Sequence, residues 1–125
     1  MVKIYKCTIH GRIPSKKNSK QIIKRGGKTF LVPSKAHAKW HRDTTLQLKQ
    51  NKDNKDIESI TLEFWWPDNR KADLTNKAES VMDLMVDKGI MDDDCWQITS
   101  DIILKPKGID RVNPRCEISI VYYKF

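Results

Sequence analysis

The stretch Arg70–Ile98, RKADLTNKAESVMDLMVDKGIMDDDCWQI, decides how this chain is read. Leu74, Ala78, Val81 and Met85 recur at three- and four-residue intervals and Met82 widens the stripe, so the spacing predicts a helix from Leu74 to Asp87 with one apolar face. Asn76, Glu79, Asp83 and Asp87 fall opposite that face. Asp73 stands at the N-cap position, and Gly89 stands where a helix takes its left-handed C′ residue. The acidic turn Asp92-Asp93-Asp94 follows and leads into an expected strand from Gln97 to Lys105. Ahead of the helix, Ile57–Trp66 alternates through Ile60, Leu62, Phe64 and Trp66, and Pro67–Lys71 makes the turn between strand and helix.

Outward from this centre the pattern continues. Residues 2–9 alternate through Val2, Ile4, Cys7 and Ile9, with a slip near Tyr5, and read as a first strand. A loop, Gly11–Lys20, contains Pro14-Ser15-Lys16-Lys17-Asn18. Gln21–Lys24 and Lys28–Val32 flank Arg25-Gly26-Gly27 and predict a hairpin whose glycines take positive φ. Pro33-Ser34 opens a helix, with Ser34 as N-cap and Ala38, His41 or Arg42, Thr45 and Leu48 as its inner stripe, expected to reach Gln50. Asn51–Asp56 is a polar linker. Cys116–Tyr123 is a last strand, preceded by a basic loop with Lys105, Lys107, Arg111 and Arg115. The order of elements predicts one α+β domain over residues 1–125, with a small mixed or mostly antiparallel sheet and two main helices on one face.

The formal charge of +8 is unevenly spread. Residues 1–52 carry fourteen Lys and Arg against one acid, or +13, and residues 53–125 carry ten against fifteen, or −5. A basic half suits a polyanion, because each Lys or Arg at a phosphate releases condensed counterions. No apolar run approaches the ~20 residues of a membrane span, and the N-terminus lacks the apolar stretch of a signal peptide, so a cytoplasmic protein is expected. Cys7, Cys95 and Cys116 form no paired motif, which argues against a zinc site and for free thiols.

The acids need their own explanation. Carboxylates repel a phosphate unless a divalent cation lies between them. Mg²⁺ takes one or a few carboxylates, waters and a phosphate oxygen. There it can activate water, stabilise charge on phosphorus and assist the leaving 3′ oxygen. Taken alone, the same residues also read as a capped helix and a solvated turn. The helix itself, ~20 Å long at 1.5 Å per residue, separates Asp73 from the acidic turn unless the chain folds back along it.

At this stretch the chain resembles the RusA family of Holliday-junction resolvases, whose pattern is Asp-x-Asp-Asn-x-x-Lys-x-x-x-Asp at a helix start, then a Gly and an Asp-Asp pair before a strand. Asp73-Leu74-Thr75-Asn76, Asp83, Gly89 and Asp93-Asp94 lie on it without gaps, and Pro14–Asn18 is similar to the family's Pro-Ser-x-Asn loop. Two positions depart: Thr75 replaces the second Asp, and Glu79 replaces the Lys. The resemblance implies a Mg²⁺-dependent endodeoxyribonuclease, with Mn²⁺ as a substitute, that resolves branched DNA by paired nicks as a symmetric homodimer in recombination and repair, in a bacterial cell or its phage. It implies Asp73, Asp93, Asp94 and Asp83 as metal ligands. Asp73, Asp93, Asp94, Glu79 and Lys77 become the catalytic candidates, Glu79 restoring the charge lost at Thr75 and Lys77 steadying the transition state. Lys16, Lys17, Asn18, Lys20, Lys24, Arg25, Lys28, Arg70 and Lys71 are expected on the DNA, and Asn76 and Gly89 are structural. The rival readings are a non-catalytic nucleic-acid-binding module and a flap or single-strand metal nuclease. A protein–protein adaptor leaves the +13 half unexplained.

Overall fold

A computed structural model of the chain describes residues 3–14, 20–49, 57–91 and 99–123. The elements are β1 (Lys3–His10), β2 (Lys20–Arg25), β3 (Lys28–Pro33), α1 (Lys35–Thr45), β4 (Ile57–Trp66), α2 (Leu74–Asp87), β5 (Thr99–Ile109) and β6 (Arg115–Tyr122). Four strands form a mixed sheet in the order β1-β6-β4-β5, antiparallel except for the parallel pair β4–β5, and β2–β3 form a separate two-stranded ribbon. The fold is therefore α+β, as the order of elements predicts.

One face of the sheet makes the core. Tyr5, Cys7 and Ile9 of β1, Cys116, Ile118 and Ile120 of β6, and Ile60, Leu62 and Phe64 of β4 are buried there with Ala78, Val81, Leu84 and Met85 of α2 and Leu48 beyond α1. Both helices thus cover the same face. Register distinguishes β1 from its sequence reading: Tyr5, Cys7 and Ile9 point inward, while Ile4 is 53% exposed. The Tyr5 hydroxyl, donating to the Lys49 carbonyl at 2.7 Å, gives that inward register a polar anchor.

Helix α2 matches its expected limits. Asp73 caps it, and at the other end the Gly89 and Ile90 amides donate to the Val86 and Met85 carbonyls at 3.0 and 2.9 Å. That pairing requires a left-handed residue, and Gly89 has φ +79°. Helix α1 is shorter than expected. It stops at Thr45, and the Gln47 and Leu48 amides bond back three residues to Thr44 and Thr45. Adjacent β-branched threonines disfavour continuation, and the tightened turn drops Leu48 into the core. Its inner side is His37 and Thr44 with half-buried Trp40 and His41; Ala38 and Arg42 are exposed, contrary to the expected stripe. Gln50 lies outside the described residues.

Strand β5 runs past Lys105 to Ile109, so Lys105 and Lys107 belong to the strand and the connecting loop is 110–114. Pro106 does not end the strand, because β5 is an edge strand, but the pairing with β4 slips by one residue just after it, from Phe64–Pro106 to Trp65–Gly108. In the ribbon, Gly26 and Gly27 take φ +56° and +76°, the two positive angles of a two-residue hairpin turn.

Candidate active site

The site grows from three chain segments that meet at the start of α2. Asp73 accepts from the Thr75 hydroxyl at 2.8 Å and the Asn76 amide at 3.3 Å through Oδ1, and from the Asn76 side-chain nitrogen at 3.0 Å through Oδ2. A carboxylate has about four acceptor positions, so the first turn of its own helix uses three of them and fixes the plane of the group. Asp73 stays exposed. Thr75, which departs from the family pattern, thus turns its hydroxyl onto Asp73.

The second segment is the loop after β1. Lys77 Nζ donates to the Ile13 carbonyl at 2.6 Å, and the buried Ser80 hydroxyl donates to the Pro14 carbonyl at 2.8 Å. Two successive carbonyls are thereby clamped along one side of α2, which directs the chain toward Ser15–Lys20. Residues 15–19 lie outside the described residues, so the expected DNA contacts Lys16, Lys17 and Asn18 do too, as does the side chain of Lys20.

The third segment is the turn after β4. Asp68 receives Arg12 at 2.6 Å and Arg70 at 3.0 Å. The bonds from Arg70 and then Arg12 hold its carboxyl well below the usual carboxylate range. Around it Arg12, Arg70, Lys71 and Lys77 border a cleft of about 50 Å³. Burial, followed by the charges of Arg12 and Arg70, lowers the Lys77 pKa. Four cations against Asp68 leave a surplus of positive charge in this cleft, whose lining reaches Ala72 at the start of α2, a setting that favours a phosphate. Arg12 was not singled out from the sequence; its signal was a lone guanidinium between β1 and Pro14 in the basic half.

The remaining candidates are placed as follows. Asp83 is half-buried ten residues beyond Asp73, ~15 Å along the helix axis at 1.5 Å per residue. The structure does not bring these two together. Glu79 is exposed one turn beyond Thr75. Lys24, Arg25 and Lys28 are exposed at the tip of the β2–β3 ribbon. Asp93 and Asp94 lie outside the described residues, and among the described residues no three His, Cys, Asp or Glu side chains cluster as metal ligands. Cys7 and Cys116 are buried free thiols; Cys95 and Trp96 lie outside the described residues. Trp65 lies on the open face of the sheet under the Arg115 guanidinium, 4.0 Å from its ring centre, whereas Trp66 stacks on Phe64. No helix among the described residues is long and apolar enough to cross a membrane.

A mixed four-stranded sheet with an oriented acid and a cationic cleft at one helix start defines a small domain built to act on a polyanion. The sequence model of the endodeoxyribonuclease RusA family matches residues 12–121, nearly the whole chain, and the protein belongs to that family. It is thus an endodeoxyribonuclease of the Holliday-junction-resolving kind, acting on branched DNA. Among curated proteins no sequence match is found.

Proposed function

We propose that this nuclease resolves four-way junctions with Mg²⁺ as cofactor and Mn²⁺ as a substitute, serving recombination and repair in the cytoplasm of a bacterium or of a phage-infected cell. The observation that carries the reading is the Asp73 carboxylate, exposed and oriented by Thr75 and Asn76, next in the chain to Ala72, which lines a cleft bordered by Arg12, Arg70 and Lys71. Oxygen donors of this kind fit a hard divalent ion. Asp73 with Asp93 or Asp94, brought back along the helix, would hold it, and the ~15 Å helix rise separates Asp83 from Asp73. When bound, such an ion polarises the phosphodiester and makes water more acidic. The chain's own residues do the rest. Thr75 and Asn76 keep Asp73 in one orientation. Arg12, Arg70 and Lys71 hold the phosphate, and Lys77 acts by fixing the loop that carries Arg12. Glu79, one turn beyond Thr75, offers the negative charge that the family pattern places at position 75. Lys24, Arg25 and Lys28, with Lys16, Lys17, Asn18 and Lys20, hold the arms through the backbone without reading sequence.

A two-fold dimer suits a substrate that is itself nearly two-fold. Support comes from β5, an eleven-residue edge strand with Ile102 and Ile103 at 45% and 42% exposure. Two copies of β5 running antiparallel about Ile103 set Asp101 of each opposite Lys105 of the other, a complementary pair on both sides of the axis.

An end-labelled four-way junction, incubated with Mg²⁺ or with EDTA beside Asp73→Asn, tests the reading. Paired nicks that need Mg²⁺ and fall by about a hundredfold or more in the variant are expected. Cleavage that survives EDTA, or an undiminished Asp73→Asn, would overturn it.

A further inference from the structure

At the start of α2, between the 66–74 segment and the end of β5, lies a groove of about 470 Å³. Its volume falls in the usual range for small-ligand sites. Trp66, Leu74, Pro106 and Ile109 supply apolar walls, and the charged lining is Arg70 with its partner Asp68 and Lys107, which lies 3.5 Å from Glu63. The Trp66 ring is held by Phe64, parallel to within 3° at 5.2 Å between centres, and the Asp110 amide, donating to the Trp66 carbonyl at 2.8 Å, closes the strand ends together. Gly108, at φ +141°, adds no side chain to the wall. Ile109 is 48% exposed where an edge strand could have ended in a polar residue. Two of the lining residues, Ala72 and Leu74, flank Asp73 directly.

A flat apolar slot with cations at its edge matches a nucleotide, which joins a planar ring to an anion. We propose that this groove receives one unstacked base of branched DNA, adjacent to the phosphate held at Asp73. The proposal rests on the junction-nuclease reading above. Bases at a branch point are the easiest to withdraw, because unpairing costs least where stacking is already broken. Aromatic and apolar walls stabilise the withdrawn ring, and Arg70 and Lys107 face its phosphates. The slot would place the scissile phosphate by gripping its neighbour and would let base shape influence where the enzyme cuts.

The test uses the full chain carrying Asp73→Asn, with four-way junctions bearing 2-aminopurine at each nucleotide beside the branch. Ile109→Glu puts an anion in the slot at an exposed position, and Ile109→Trp fills it without charge. We expect 2-aminopurine emission at one branch nucleotide to change about twofold or more on binding, and to stay near its unbound value in both groove variants. Junction affinity should move by less than about threefold, since phosphate contacts dominate it. In the cleavage-competent protein the Ile109 variants should cut about tenfold more slowly and with a flatter preference among branch sequences. The same emission trace in all three proteins at saturating binding, or no change in any, overturns the groove. Mg²⁺-dependent cleavage by the unaltered protein, run in parallel, judges the nuclease reading separately, so absence of cutting would fall on that reading while the emission still judges the groove.

Discussion

Replacing Lys77 with Met separates two roles that the residue's position allows. The ammonium donates to the Ile13 carbonyl at 2.6 Å, and a hydrogen bond to a charged group contributes about 1.5–3 kcal/mol. Opposing this, burial and the nearby Arg12 and Arg70 disfavour the charge and lower its pKa from the ordinary 10.5. Met removes the bond and the disfavoured charge together, so the net loss should be about 1 kcal/mol. At ~2.1 cal/mol/K of unfolding entropy per residue, a chain of this length loses about 4 °C of Tm. Ser80→Ala gives up a neutral bond of about 1 kcal/mol and regains about half of that in helix propensity, so about 2 °C is expected. Calorimetric melts of both variants check the ranking. The pH dependence has a defined sign. Between the lowered pKa and 10.5 the unfolded chain holds the Lys77 proton more tightly than the native one, so wild-type stability rises with pH in that window, and Lys77→Met lacks the rise. Cleavage should fall far more than stability, about a hundredfold, because a displaced loop moves Arg12 by an ångström or more. A Tm loss above about 10 °C, or full cleavage by Lys77→Met, would refute the clamp.

Four further outcomes are expected. Asp73→Asn should keep Tm within about 2 °C, since Asn caps a helix as well as Asp; a large drop would make the residue a structural cap rather than a ligand. Ile103→Cys should oxidise to a disulfide-linked dimer, the pair lying on the two-fold axis; a purely monomeric protein in sedimentation would exclude the β5 interface. Cys7 and Cys116 are buried, and burial pushes the Cys116 thiol well above its usual range. A Cys95→Ser variant should therefore take up no thiol reagent when folded and two equivalents after unfolding, and native labelling would contradict that packing. Asp68→Asn should flatten acid denaturation. The Asp68 pKa is depressed by Arg70 and Arg12, so its contribution is present above the unfolded value of about 3.9 and lost as pH falls toward the folded one; identical acid melts would sink the ion-pair account.

How much of this was legible depended on whether a signal was local. The α2 limits could be read because the cap, the apolar stripe and the C′ glycine all lie within seventeen residues, from Asp73 to Gly89. The hairpin turn was legible for the same reason, since two glycines impose it. The end of α1 was not, because Leu48 reaches the core by a tightened turn that propensity alone does not specify. In β1 the apolar residues Val2 and Ile4 suggested one register, and the competing Tyr5–Lys49 contact lies forty-four residues away. Strand β5 crossed Pro106 because edge strands tolerate proline, and edge status is a property of the whole sheet.

The same distinction applies to the site. Spacing read Asp73 as a helix cap, and the family resemblance made it a ligand candidate while assigning Thr75 a loss, since a hydroxyl is a weaker Mg²⁺ ligand than a carboxylate. Geometry gives Thr75 a different task. Its hydroxyl is spent on Asp73 Oδ1 at 2.8 Å, and Asn76 takes Oδ2 at 3.0 Å. A second carboxylate at position 75 would repel Asp73 unless a cation lay between them, whereas a hydroxyl donates to it with or without a cation. On the proposed reading of Asp73 as a metal ligand, the exchange therefore trades negative charge for a fixed ligand orientation. The consequence is thermodynamic: less charge lowers metal affinity, while an ordered Asp73 lowers the entropic cost of assembling the site. Thr75→Asp and Thr75→Val separate the two contributions. The first should tighten Mg²⁺ binding. The second, which keeps the shape and removes the donor, should weaken Mg²⁺ binding without restoring any charge.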